Sequence, residues 1–211
     1  MTGSGHTLKG LYAITDSALT PGPALPAAVE AAIRGGARLV QYRDKSTDTA
    51  RRRQEARALA ELCRDHGAAF IVNDDVELAL ESGADGVHLG RDDADLATAR
   101  VRLGPRALIG VSCYDSMELA VAGVHAGADY VAFGSFHVSG TKPGAVRAPV
   151  ALLTEARQKK GVPVCAIGGI TPDNGAALVA AGAQMLAVIR GVFAEKDVKA
   201  AAESYARLFT A

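Results

Sequence analysis

Eight short β-forming runs, separated by alanine-rich helical stretches, constrain this chain more than any other feature. They are LYAIT (11–15), LVQYR (39–43), FIVND (70–74), GVHLG (86–90), LIGVS (108–112), YVAFGS (130–135), VCAIGG (164–169) and MLAVIR (185–190). Runs apolar at successive positions suit strands of a parallel sheet covered on both faces. The segments GGARLV, HGAAFI, SGADGV, AGADYV and AGAQML each place Gly-Ala between a helix and the next strand. Glycine can take the left-handed conformation that ends a helix and drops the chain into a strand. Helix starts are marked by Thr171-Pro172 and by Asp115 before SMELAVAGVHAG. Eight such units within 211 residues are economical as a closed (β/α)8 TIM barrel, an α/β fold. A doubly wound open sheet is the alternative, but the first strand leads into the proline-rich TDSALTPGPALP and not into GxGxxG. We expect a flexible tail over 1–9 and one barrel domain over 10–211.

An apolar content of 49% is enough to build a substantial core. Lysine plus arginine (23) balance aspartate plus glutamate (23), so no global basic surface points to nucleic acid. The run Arg51-Arg52-Arg53 reads as a solvated helix face. Cys63, Cys113 and Cys165 lie far apart without CxxC or Cys/His ligand spacing, so reduced thiols are expected in place of disulfides or zinc. The opening MTGSGHTLKG lacks a signal-peptide core, and no segment is long enough to span a bilayer. The expectation is a soluble cytoplasmic protein with no nucleic-acid or membrane partner.

In a barrel the loops after the strands share one face, where chemistry is expected. QYRDK (41–45) puts an amide and two cations there, because side-chain alternation sends Gln41, Arg43 and Lys45 to one face and Tyr42 and Asp44 to the other. Later strand ends add Asn73, Asp74, Asp92, Asp93 and Ser112, then Ser139, Thr141 and Lys142 in one loop. Two carboxylates on neighbouring loops suit a hard cation such as Mg2+, and the cations with Asn73 suit a polyanion. Plainer roles compete: NDD (73–75) can cap the helix that follows, Asp92 and Asp93 can cap the next one, and His88 can be a satisfied interior histidine. The loop GSFHVSGTKPG (134–144) is not a P-loop, since Thr141 precedes Lys142 and Pro143-Gly144 interrupts any immediate helix. A lid carrying hydroxyls and a cation fits it better. AIGGI (166–170) and VIRG (188–191) follow strands seven and eight, where barrels commonly bind phosphate.

QYRDK, VNDD, GVHLGRDD, IGVSC, DYVAFGSFHVSGTKPGA, CAIGGI and LAVIRGVF, in this order and spacing, resemble the thiamine phosphate synthase (thiamine-phosphate pyrophosphorylase) family from about Leu11 to Phe193. The resemblance implies a transferase joining 4-amino-2-methyl-5-hydroxymethylpyrimidine diphosphate to 4-methyl-5-(2-phosphooxyethyl)thiazole with release of diphosphate. By position, Gln41 would hold the pyrimidine, Arg43, Lys45, Asn73 and Lys142 the diphosphate, and Asp74 and Asp93 the Mg2+ cofactor. Ser112 would line the pocket near pyrimidine and diphosphate. Ser139 and Thr141, with the backbone at Gly169, Ile189 and Arg190, would bind the thiazole phosphate. Lys142, Arg43 and Ser112 are the expected catalytic residues of a dissociative path through a pyrimidine cation. Its partners would be small molecules, and a homo-oligomer is compatible with the sequence.

This chain departs from the family pattern at four positions. The usual GPIFPTxTK loop is GSFHVSGTK, with Ser139 for threonine and His137 for an apolar residue, while Arg91 replaces a common glutamine and Arg190 a common serine. Two other readings compete: a thiazole tautomerase-like isomerase, and a non-catalytic sensor of thiamine-pathway intermediates. Neither needs the full set of Arg43, Lys45, Asp74, Asp93 and Lys142.

Overall fold

The computed structural model describes residues 5–91, 93, 95–138, 146–159 and 161–210. The strands are β1 (Gly10–Ile14), β2 (Ala37–Tyr42), β3 (Ala69–Asn73), β4 (Gly86–Leu89), β5 (Leu108–Tyr114), β6 (Tyr130–Phe133), β7 (Val164–Ile167) and β8 (Met185–Val188). Each pairs in parallel with the next, and β8 pairs with β1 to close an eight-stranded barrel. Between them run α1 (Ala24–Arg34), α2 (Thr49–Asp65), α3 (Val76–Ser82), α4 (Leu96–Leu103), α5 (Met117–His125), α6 (Ala151–Gln158) and α7 (Pro172–Ala181). A one-turn α8 (Arg190–Phe193) and α9 (Val198–Ala206) follow β8. The (β/α)8 barrel expected from the sequence is the fold observed.

Strand alternation divides the buried residues into two cores. Outward residues such as Leu11, Val40, Phe70, Val87, Ile109, Val131 and Leu186 pack against the helices. Inward residues form a second cluster, including Tyr12, Ile14, Leu39, Ile71, Leu108, Tyr130, Cys165 and Met185. Leu8, just ahead of β1, joins this interior cluster. Size is matched across the interior: a Cβ at Gly110 would strike the Tyr130 ring. The Gly-Ala junctions work as the sequence implies, with Gly36, Gly67, Gly83, Gly127 and Gly182 all at positive φ. The ring of helices closes where α9 lies on the end of α1, since a Cβ at Gly35 would press on the Lys199 carbonyl.

Local signals explain the helix starts. Thr171 and Asn174 form a reciprocal capping box with Pro172 in the first turn of α7. Ser116, one residue past the Asp115 suggested by sequence, caps α5 through its side chain to Leu119 N. Arg51, Arg52 and Arg53 are not a merely solvated face. Arg51 pairs with Asp44 at 2.7 Å and with Glu55 at 3.1 Å, Arg52 with Asp75 at 2.9 Å and Arg53 with Glu81 at 2.7 Å. Strand β2 is thereby tied on its outer side to α2, while its inner face stays available.

Candidate active site

The strand ends surround a cavity of about 380 Å3, within the size range of small-molecule sites. Gln41, Arg43, Asn73, Ser112, Gly169, Ile189 and Arg190, all singled out in the sequence, line it. Gln41 is 2% exposed, and its Nε2 donates to the Tyr12 hydroxyl at 2.7 Å. Arg43 is aimed by Asp16 from the loop after β1, at 3.6 Å, and its backbone N–H donates to Thr15 Oγ1 at 2.9 Å. Its neighbours Tyr42 and Asp44 turn the other way, to Glu55 and Arg51 of α2. One strand end thus faces both ways, as alternation requires.

Asp74 and Asp93 come together at the adjacent loops. Asp74 sits at φ 64°, a left-handed conformation that aspartate tolerates better than most residues. Its side chain meets Lys45 at 2.9 Å and hydrogen-bonds Asp93. Burial pushes the Asp74 carboxyl up, but hydrogen bonds from Lys45 and Asp93 outweigh it and hold Asp74 below the usual carboxylate range. Burial first, and then the Asp74 carboxylate, push Asp93 above that range. Helix capping falls to other residues. Asp75 caps α3 by accepting from Leu78 N at 2.9 Å, and Asp95 caps α4 by accepting from Thr98 N at 3.1 Å. Asp93 accepts from Gly90 N at 2.6 Å. Among the described residues no group of three acidic, Cys or His side chains could enclose a metal, so a cation here would complete its shell with water or ligand oxygens, as Mg2+ commonly does. The donor set fits that ion.

The far wall is built by the loops after β6, β7 and β8. Phe136 N donates to Ile167 O at 3.2 Å and His137 N to Gly168 O at 2.9 Å, so the base of the β6 loop lies flat on the β7 loop. Gly169, at φ 61°, admits this approach, because a Cβ there would run into the Val138 carbonyl. The paired glycines therefore shape a turn and also line the cavity. Tyr205 of α9 donates to Ile170 O at 3.0 Å and fills the space beside Gly191. Ser139, Thr141 and Lys142, with Asp92, lie outside the described residues.

Four departures from the family pattern were noted above; the structure describes three of them. Arg91 lies 4.8 Å from the ring centroid of Tyr114, a cavity residue. Arg190 is exposed at the cavity edge. His137 Nε2 is buried with no hydrogen-bond partner among the described residues. Sequence reading missed Asp16, Tyr12 and Tyr130. Alternation in LYAIT could have placed Tyr12 inside, but its pairing with a residue 118 positions away follows only from barrel closure.

The model of the thiamine monophosphate synthase family matches residues 11–192. The chain belongs to this family. A thiamine-phosphate synthase of Thioalkalivibrio sulfidiphilus is 58% identical over 209 residues, covering 99% of both chains. One of Acidithiobacillus ferrooxidans is 53% identical over 212 residues, covering 99% of this chain and 98% of its own. Among solved structures, a thiamine phosphate pyrophosphorylase from Pyrococcus furiosus superposes with a TM-score of 0.85 at 33% identity, covering 96% of each chain. The thiamine monophosphate synthase match spans every strand end described above and omits only Gly10 of β1. Among the described residues, no helix is long and apolar enough to cross a membrane.

Proposed function

We propose that this protein is a thiamine-phosphate synthase, joining 4-amino-2-methyl-5-hydroxymethylpyrimidine diphosphate to 4-methyl-5-(2-phosphooxyethyl)thiazole. One observation carries the reading. Arg43 and Asn73 share a cavity with Gln41 and Ser112, and the Asp74–Asp93 pair with Lys45 adjoins Asn73. This supports a reading in which the groups that would take a diphosphate lie next to those that would take a polar ring.

In the reaction the bond between the pyrimidine methylene carbon and the diphosphate oxygen breaks, and its electron pair leaves with diphosphate. The amino group of the ring supplies electrons to the resulting cation. The thiazole nitrogen lone pair then forms the new C–N bond. Gln41, held through its Nε2 by Tyr12, turns its amide oxygen to the amino group of the pyrimidine. Arg43, Lys45, Asn73 and Lys142 take up the charge that develops on the leaving group, where preorganised donors are most effective. Asp74 and Asp93 would hold Mg2+, which supplies further charge neutralisation to the diphosphate. Ser139, Thr141 and the backbone at Gly169, Ile189 and Arg190 would hold the thiazole phosphate and keep its nitrogen in line. The barrel needs no acid–base dyad for this chemistry. The three buried cysteines, unpaired in the structure, suit a reducing cytoplasm.

Diphosphate release gives the test. With both substrates and Mg2+, one diphosphate should appear per thiamine phosphate, and omission of the thiazole phosphate should abolish the coupled product. Folded protein that isomerises a thiazole phosphate, or binds it without any joining, would replace this reading with the tautomerase or the sensor.

A further inference from the structure

Strand β5 ends irregularly. Its register against β6 runs Gly110↔Tyr130, Val111↔Val131 and Ser112↔Ala132, then shifts so that Tyr114 faces Phe133. One residue more on β5 than on β6 makes a bulge, a device that re-aims side chains beside active sites. Cys113 turns outward into the core shared with the helices, while Ser112 and Tyr114 both line the cavity. Tyr114 sits at φ 53°, a left-handed conformation that a bulky residue keeps only where its surroundings hold it. Its carbonyl accepts from Gly134 N at 2.9 Å, which fixes the backbone and leaves the ring to be placed by contacts of its own.

Two contacts place it. The Arg91 guanidinium lies 4.8 Å from the ring centroid, within the reach of a cation–π attraction. Arg91 has no carboxylate partner among the described residues, so this ring is its contact there. At the other end the hydroxyl reaches Gly90, where a Cβ would lie 3.8 Å from Tyr114 Oη and 2.8 Å from Asp93 Oδ2. The same Asp93 oxygen accepts from Gly90 N at 2.6 Å. The phenol oxygen and the Asp93 carboxylate therefore flank one glycine, and Asp93 in turn hydrogen-bonds Asp74, which meets Lys45. Strand order puts Asn73 and Arg43 on the far side of that corner. Tyr114 Oη makes no hydrogen bond among the described residues.

We propose that Tyr114 is a substrate-binding residue whose hydroxyl donates to a non-bridging oxygen of the diphosphate group, and that Arg91 is the positioning residue that holds its ring in place. The proposal rests on the synthase reading, which puts the diphosphate beside Asp74 and Asp93. Diphosphate oxygens only accept hydrogen bonds, and a bond to a charged acceptor is worth more than one between neutral groups. The guanidinium also brings positive charge to a corner that already holds two carboxylates. A glutamine at position 91, common in the family, would lack the charge that draws the group onto the ring. The device therefore belongs to this chain's own arginine and tyrosine.

The test is titration calorimetry of inorganic diphosphate, with Mg2+ present, into the whole protein and its variants. Tyr114→Phe keeps the ring and removes the hydroxyl, and it should weaken diphosphate binding about tenfold. KM for the pyrimidine diphosphate should rise by a similar factor, with kcat and KM for the thiazole phosphate within about twofold. Arg91→Met removes the cation from an exposed position and should weaken diphosphate binding about threefold, while Arg91→Lys should restore most of the loss. The double variant should bind about as weakly as Tyr114→Phe alone, because Arg91 acts through the placement of the hydroxyl. Wild-type affinity in Tyr114→Phe would overturn the binding role, and losses that add in the double variant would overturn the positioning role. If Tyr114→Phe does not fold, unchanged diphosphate affinity in Arg91→Met overturns the proposal by itself. Calorimetry needs no turnover. Wild-type protein that makes thiamine phosphate, beside Tyr114→Phe protein that binds diphosphate unchanged, would sink this inference and leave the synthase reading standing.

Discussion

Asp74 and Asp75 are the same residue type at adjacent positions, and the fold gives them opposite duties. Asp75 accepts from Leu78 N and pairs with Arg52, whereas Asp74 turns away at φ 64° to meet Lys45 and Asp93. Asp74→Asn should therefore cut turnover by about 100-fold or more, with little change in melting temperature. Asp75→Ala should do the reverse, costing about 1 kcal/mol of stability with turnover within about twofold. Parallel steady-state kinetics and thermal melts check both, and equal activity losses would contradict the division. Lys142→Ala should lower kcat by about 100- to 1000-fold in a protein that melts like the wild type, through loss of leaving-group stabilisation. A near-normal rate would remove Lys142 from the mechanism. The sequence showed that an acidic pair follows β3, but not which member caps the helix, because that choice depends on one backbone dihedral. Gln41, Arg43, Asn73 and Ser112 were legible because strand alternation alone puts them on the inner face.

The junctions between elements were legible for a similar reason. Each Gly-Ala step after a helix is a local backbone requirement, met here by positive φ at Gly36, Gly67, Gly83, Gly127 and Gly182. Contacts between loops were not, since the stacking of 136–138 on the β7 loop joins segments whose separation says nothing of their packing. Gly169 is the position where both kinds of constraint meet. Gly169→Ala would add strain at φ 61° and push against the Val138 carbonyl. It should cost about 1–3 kcal/mol of stability and raise KM for the thiazole phosphate more than it lowers kcat. Unaltered kinetics with both substrates would separate the β7 loop from the phosphate site.

At the scale of the whole molecule, barrel closure buries three thiols and brings the loop-borne groups into one cavity. Burial pushes Cys63, Cys113 and Cys165 up to about 12, against about 8.5 for an unfolded thiol. The folded state thus keeps protons that the unfolded chain releases between these values. Stability from this source is full below about pH 8.5 and falls as pH rises toward 12, by about 1.4 kcal/mol per pH unit for each thiol. Native protein at pH 8 should leave an aromatic disulfide reagent unreacted, and three thiols per chain should react after denaturation. Rapid native labelling would contradict the burial of these residues. Closure itself could be read from eight repeated units, whereas the hydrogen-bonded run of Gln41, Tyr12, Tyr130, His88 and Ser112 could not, because it joins residues from strands β1, β2, β4, β5 and β6 that meet only across the closed interior.

The central claim is that these converging groups make thiamine phosphate. Purified protein should be mixed with both substrates, in Mg2+ or in EDTA, and the product oxidised to fluorescent thiochrome. The account predicts thiochrome that accumulates with Mg2+ and is absent with EDTA. Folded protein that forms none in Mg2+ would contradict it.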